Sequence, residues 1–153
     1  MHIQNYKSDY NKAITDVFYE SIHAIDTSVY TEAQKHAWAP LPRNYEAWAG
    51  RLMFKRPFLA MQDQQLLGFI ELDPDGYIDC MYTHPDHQRQ GVGSTLYEHL
   101  ESVARDKGLA QLRVDASHVA KPFFEGKGFS VVSENQVARA DQMITNFAME
   151  KSL

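Results

Sequence analysis

Seven residues near the middle of the chain, Gln88-Arg89-Gln90-Gly91-Val92-Gly93-Ser94, combine the groups that can hold an anion. They lead into a segment with apolar residues at Val92, Leu96, Leu100, Val103 and Ala104, a helical spacing. The first turn of a helix carries amide N–H groups that have no partner inside the helix. Glycines at 91 and 93 leave those amides without side chains to shield them. The helix dipole adds positive potential at the same place, and Arg89 adds a full cation. A phosphate or pyrophosphate suits such a turn. A tight turn with no ligand would use the same glycines.

Two familiar phosphate loops fit poorly. A P-loop requires Lys and then Ser or Thr directly after its second glycine, whereas Ser94-Thr95 follows Gly93. A dinucleotide fingerprint requires a third glycine three residues on, and Leu96 stands there. His84 and His87 are three apart, but Pro85 and Asp86 between them favour a turn and no third ligand is evident, so no metal is expected.

The stretch Met81-Tyr82-Thr83-His84-Pro85 followed by Gln88-Arg89-Gln90-Gly91-Val92-Gly93 resembles the acyl-CoA signature of the GNAT acetyltransferase superfamily: apolar strand, x-Pro, Gln/Arg-x-x-Gly-x-Gly/Ala, helix. A second family motif, Ala-x-x-Phe-Tyr-x-x-x-Gly-Phe, is matched by Ala120-Lys121-Pro122-Phe123-Phe124-Glu125-Gly126-Lys127-Gly128-Phe129. The two occur in the family's order with a predicted strand between them. The resemblance is sharp from Tyr77 to Phe129 and looser over the rest.

The resemblance implies a GNAT-like α/β (α+β) domain with a mixed, mostly antiparallel sheet flanked by helices and splayed between strands 4 and 5. Acetyl-CoA would be the co-substrate. Its pantetheine would enter the splay beside Met81, Tyr82 and Thr83, its pyrophosphate would sit on the amides from Arg89 to Ser94, and Ser117, Phe123 and Phe124 would line its channel. The acceptor would be an amine of a small molecule or peptide, attacking directly in a ternary complex. Tyr30 and Trp38 fall in the region that forms the family's acceptor cleft, and Trp48 reads as a core aromatic.

An alkyl amine has a pKa near ~10.4 and must lose a proton before it attacks, so a general base is expected. Asp79 on the central strand is the first candidate, and also a substrate-binding one; strand parity would set it on one face with Tyr77 and Met81. Glu71 on the adjacent strand is the second. The tyrosine that often protonates the family's departing thiolate is replaced by Phe124, which cannot donate. Tyr82 is the catalytic substitute proposed here, with Tyr97 or water as others. A rival reading follows from Phe124: an acyl-CoA-binding module without turnover, acting as sensor or partner. A third is a phosphate-loop nucleotide binder. Parity puts Cys80 opposite Asp79, in the core.

The elements that would position these groups follow from composition and pattern. A chain of 153 residues, 44% hydrophobic, suits one domain over 1–153 with a proper core. A net charge of −5 gives no general basic footprint for nucleic acid. One cysteine leaves no internal disulfide framework. The polar start and the lack of a spanning apolar run suggest a cytoplasmic protein without a membrane partner; a homodimer fits as well as a monomer. Expected in order are a strand at His2–Tyr6, a helix from Tyr10 to Ile25 capped by Ser8 or Asp9, helical spacing over Thr31–Trp38, and an Asn44-capped helix to Phe54. A hairpin of Pro57–Met61 and Leu66–Leu72 leads through a turn to the central strand Tyr77–Thr83. After the long helix come a parallel strand at Gln111–Asp115, a helix from Val119 to Gly126, and closing strands at Phe129–Glu134 and Thr145–Glu150.

Overall fold

The computed structural model describes residues 1–153. Seven strands form one sheet: β1 His2–Gln4, β2 Phe58–Gln62, β3 Gln65–Leu72, β4 Tyr77–Thr83, β5 Gln111–Ala116, β6 Ser130–Arg139 and β7 Gln142–Ser152. Their order across the sheet is β1-β2-β3-β4-β5-β7-β6. Neighbours are antiparallel except β4 and β5, which are joined by a crossover through the long helix, as parallel strands require. The closing strands run longer than the pattern suggests and take in Val137-Ala138-Arg139.

Five helices cover the two faces: α1 Asn11–His23, α2 Glu32–Trp38, α3 Tyr45–Lys55, α4 Val92–Asp106 and α5 Lys121–Gly126. Ile14, Val17 and Ile22 of α1 and Leu52 of α3 pack on Leu59 and Phe69 of the sheet. On the other face Leu96, Leu100 and Ala104 of α4 and Phe124 of α5 pack on Ile70 and Val114. Each fully buried leucine or phenylalanine contributes about 1.5–3 kcal/mol, which holds the helices to the sheet.

Local chemistry sets the helix starts. Thr31 and Gln34 form a capping box on α2, and the Asn44 side chain accepts the Ala47 N–H at 2.9 Å to open α3. Helix α1 departs from expectation, since neither Ser8 nor Asp9 caps it. A 3-10 turn over Ser8–Tyr10 runs into it, so the chain enters already coiled and no side-chain cap forms. The last short helix starts at Lys121 rather than Val119 because Ser117 Oγ accepts the Ala120 N–H at 3.1 Å and holds the preceding turn.

The central strand carries a feature that alternation could not reveal. The β3–β4 register pairs Ile70 with Met81 but Leu72 with Ile78, so it slips by one residue. Asp79 and Cys80 together stand opposite Glu71, the two-against-one count of a β-bulge. A bulge inverts parity beyond it. Ile78 and Met81 both pack toward α4, while Cys80 and Tyr82 pack toward α1. Asp79 and Met81 therefore do not share a face, and Cys80 lies on the same side as Asp79; both readings from alternation are corrected here.

Candidate active site

Strands β4 and β5 pair at only two positions, Tyr77 with Arg113 and Ile78 with Val114. Beyond Ile78 the strands diverge, and the β5-facing edge of β4 from Asp79 to Thr83 has no strand partner. This is the splay expected from the resemblance, and it starts at the bulge. Gly68 of β3 lets the other edge close up: a Cβ there would stand 2.7 Å from the Tyr82 carbonyl oxygen.

A cavity of about 440 Å³ opens on the α4 side of the splay. Met81, Tyr82 and Thr83 form one wall, and Gln88, Arg89, Gly91, Val92, Gly93 and Ser94 form its end. Gly91 takes the left-handed conformation at φ +82°, as does Arg89 at φ +61°, and this pair of turns lifts the chain into α4. No side chain caps that helix. Its first internal hydrogen bond runs from the Thr95 N–H to the Gly91 carbonyl at 3.0 Å, so the amides before it are the unpaired ones. A Cβ at Gly91 would meet nothing within 4 Å, which leaves room for an anion.

Ser117 and Phe123 line the same cavity, but two expected residues do not. Phe124 is 1% exposed and packs with Tyr97 and Phe129 in the core. Neighbouring positions of a helix point about 100° apart, so only one of the two phenylalanines can face the cavity, and it is Phe123. The Gln90 side chain folds back on the preceding turn, with Nε2 donating to the Asp86 carbonyl at 3.5 Å. Ser21 and Ile22 of α1 and Ile25 just after it close the far wall; sequence reading missed them because they are indistinguishable from the apolar stripe that packs α1.

A second cavity of about 310 Å³ lies between the sheet, α3 and the β6–β7 hairpin. Trp38, Tyr82 and Ser117 border both cavities, so the two meet there. Tyr30, Trp38 and Asp79, the expected acceptor residues, all face the second one. Tyr30 is 2% exposed; its hydroxyl donates to the Thr145 carbonyl at 3.0 Å and accepts the His118 N–H at 2.9 Å. It therefore serves as a clamp between the α1–α2 segment and β7, joined by Gln34 Nε2 donating to the Met143 carbonyl at 2.9 Å. Trp48 is no simple core residue: it packs on Phe18 at 4.3 Å, carries the Arg51 guanidinium over its ring and lines this cavity.

The carboxylates separate by environment. Glu71 is fully buried and held by both terminal guanidinium nitrogens of Arg51. Burial raises its pKa and Arg51 offsets part of the rise. It lines neither cavity, which corrects its candidacy as base. Asp79 faces the second cavity but lies 2.6 Å from Lys55 Nζ and 3.1 Å from Arg51. Burial works against the Lys55 charge, yet Asp79 and Asp73 outweigh it and hold Lys55 above the ordinary lysine value. Asp115 was missed in sequence, where it reads as one polar residue of a strand. It is the first β5 residue beyond the last β4 pair, it lines the second cavity, and it accepts the Tyr77 hydroxyl at 2.8 Å while forming no ion pair.

Burial pushes the Tyr82 hydroxyl well above the usual phenol range, so it stays protonated at neutral pH. Tyr97 has no access to the site: it is 2% exposed and donates to Glu101 at 2.6 Å. Burial likewise raises the Cys80 thiol well above its ordinary value, and a protonated thiol is a poor nucleophile.

A splayed pair of strands, an uncapped glycine-flanked helix and two cavities meeting at a tyrosine can hold an anionic cofactor arm beside an acceptor. The family model described as "Acetyltransferase (GNAT) domain" matches residues 26–153. The chain belongs to the GNAT acetyltransferase superfamily. This GNAT chain is 31% identical over 149 residues to YafP, an uncharacterized N-acetyltransferase of Escherichia coli K12, covering 97% of this chain and 94% of the relative. The crystal structure of a GCN5-related N-acetyltransferase (aminotransferase, class-II) from Rhodopseudomonas palustris matches with a TM-score of 0.93 at 31% identity, over 99% of this chain and 95% of that one. The PaiA N-acetyltransferase of Thermoplasma acidophilum, solved in complex with coenzyme A, matches over 100% of both chains with a TM-score of 0.76 at 22% identity. The GNAT fold and an acetylating enzyme class are thereby established. No helix of this GNAT domain is long and apolar enough to cross a membrane.

Proposed function

We propose that this enzyme transfers the acetyl group of acetyl-CoA to the amine of a small molecule or peptide, by direct attack in a ternary complex. The observation that carries the proposal is the meeting of the two cavities at Trp38, Tyr82 and Ser117, beside the unpaired edge of β4. The uncapped amides of α4 and the open space at Gly91 suit a pyrophosphate, and the free edge of β4 suits the amides of a pantetheine arm, with Met81 and Thr83 as partners. A GNAT structure holding coenzyme A supports the same cofactor here.

The acceptor amine enters through the second cavity as an ammonium and must lose a proton before it attacks the thioester carbonyl. Of the two carboxylates facing that cavity, Asp79 already carries two cations and Asp115 carries none. Lys55 and Arg51 occupy the carboxylate of Asp79 and leave less of it open to an incoming ammonium. In this reading Asp115 takes the proton, directly or through water, and Asp79 with Arg51 orders the wall. Collapse of the tetrahedral species breaks the C–S bond and releases a thiolate; Tyr82 passes it a proton and takes one back from the newly acetylated nitrogen, which leaves as the neutral amide. A thiol has a pKa near ~8.5, so the leaving group needs only modest help.

Release of free thiol from acetyl-CoA over a panel of amines, with both substrates varied, tests the reading. We expect amine-dependent release and intersecting double-reciprocal lines. Asp115→Asn should lower kcat about 10²-fold without raising the KM for acetyl-CoA. Parallel lines would replace direct attack by an acetyl-enzyme route. Coenzyme A binding without thiol release from any acceptor would leave only the binding module.

A further inference from the structure

The acceptor cavity holds a carboxylate and a guanidinium without counter-ions and one buried amide oxygen without a hydrogen-bond partner. Asp115 has a tyrosine hydroxyl on it but no cation. Asn146 also lines the cavity, and its Oδ1 is buried without a hydrogen-bond partner. Buried acceptors of this kind are normally paired, so an N–H donor is the missing partner. These two sit together: Asp115 pairs across the sheet with Ala148, and Asn146 is two residues from Ala148 on the same face of β7. The third group is Arg139, at the far end of the same cavity. It forms no ion pair, and its guanidinium donates only to the Ala138 carbonyl, at 3.0 Å. Phe18, Trp48 and Ile144 supply apolar surface in the same cavity.

From these groups we infer that the acceptor is a small zwitterion: an amine held by Asp115 and Asn146, an apolar body, and a carboxylate held by Arg139. This deepens the acetyl-transfer reading above and rests on it. Arg139 pairs with Gln142, and Gln142 is four residues from Asn146 along β7, roughly 13 Å at the usual strand rise. The arginine side chain spans part of that distance. The carboxylate of the acceptor accordingly lies several bonds from the amine, as in an ω-amino acid or a dipeptide, and not on the adjacent carbon as in a free α-amino acid. The volume, about 310 Å³, is at the small end for organic ligands and fits a molecule of that size. Guanidinium and carboxylate recognise one another through paired hydrogen bonds, so Arg139 sets specificity without touching the reacting atoms.

The test uses the full chain and four probes: 6-aminohexanoate, glycyl-leucine, leucine and hexylamine. Thiol release gives kcat/KM for each, and calorimetric titration into the coenzyme A complex gives affinity independent of turnover. We expect 6-aminohexanoate and glycyl-leucine to exceed hexylamine by roughly tenfold, the size of one partly exposed charged hydrogen-bonded pair, with leucine below both. Arg139→Gln should remove that preference by raising KM for the carboxylated probes while leaving hexylamine unchanged. Asn146→Leu should weaken all amines alike. A preference that survives Arg139→Gln, equal use of hexylamine and 6-aminohexanoate, or no binding of any probe to the coenzyme A complex overturns the inference. Failure of the underlying reading is distinct: coenzyme A itself would then not bind, or would bind with no thiol released from any of a wide set of amines.

Discussion

Substitution of Gly93 by glutamate separates the anion site from the stability of the fold, because the two effects have opposite signs. Gly93 is the second residue of α4, and a Cβ there would stand 3.5 Å from Phe123 Cε2, ordinary contact. Nothing in the apo fold resists a side chain. Replacing glycine inside a helix recovers about 0.5–1 kcal/mol of backbone entropy, and an acidic residue in the first turn gains a further ~0.3–1 kcal/mol from the dipole. Together these should raise Tm by a few degrees, given about 2–4 °C per kcal/mol for a chain of this size. Coenzyme A should feel the reverse. One charged hydrogen bond lost to a blocked amide costs about 1.5–3 kcal/mol. A carboxylate about 4 Å from a phosphate adds roughly 4 kcal/mol of repulsion at an effective dielectric of 20. After allowance for salt and side-chain escape, a net loss near ~4 kcal/mol corresponds to about 10³-fold in Kd. Calorimetric titration with coenzyme A and a thermal melt of the same sample read the two effects. A variant that binds coenzyme A within about threefold of the parent would refute the placement of a pyrophosphate on these amides. A loss of affinity accompanied by a fall in Tm would point to a damaged fold instead.

Tyr82→Phe should lower kcat by about 10²-fold, the low end for loss of a general acid because the leaving thiolate is stable, with KM for acetyl-CoA unchanged; an unaltered kcat removes Tyr82 as proton donor. Gly68→Ala should cost several kcal/mol and lower Tm sharply, since its Cβ would stand 2.7 Å from the Tyr82 carbonyl oxygen and must push β3 from β4; a melt matching the parent would contradict the close approach. Although burial opposes its charge, Glu101 has its pKa lowered to about 2 by Lys151, Tyr97 and Arg105. A depressed folded-state pKa contributes stability above the unfolded value and loses it as pH falls from about 4.5 toward 2. Glu101→Gln should therefore flatten the acid limb of a stability–pH curve and lower stability at pH 7 by up to ~3 kcal/mol before screening; an acid limb of unchanged slope would show that the ion-pair cluster does not set it.

Much of the architecture is local in origin and could be read from the chain directly. The strand ending at Thr83, the glycine turn and the long α4 stripe are set by proline, glycine and a 3.6-residue period, all of which act over a few neighbours. The proposed anion site consists of backbone amides, so residue types that leave the backbone bare announce it. The acceptor side is another matter. Asp79, Cys80 and Met81 took their directions from a one-residue slip against β3, and a bulge leaves no trace in alternation until the partner strand is known. Phe123 and Phe124 are chemically alike, and only the packing of α5 on Tyr97 and Phe129 determines which one faces the cavity. Asp79 and Asp115 are likewise the same side chain. What distinguishes them is that α3 brings Lys55 and Arg51 to one and no element brings a cation to the other. The glycine turn before α4 was thus written in consecutive residues, whereas the ion-pair partners and aim of the groups in the second cavity depend on helices and strands distant in sequence, because electrostatic partners act through space and not along the chain.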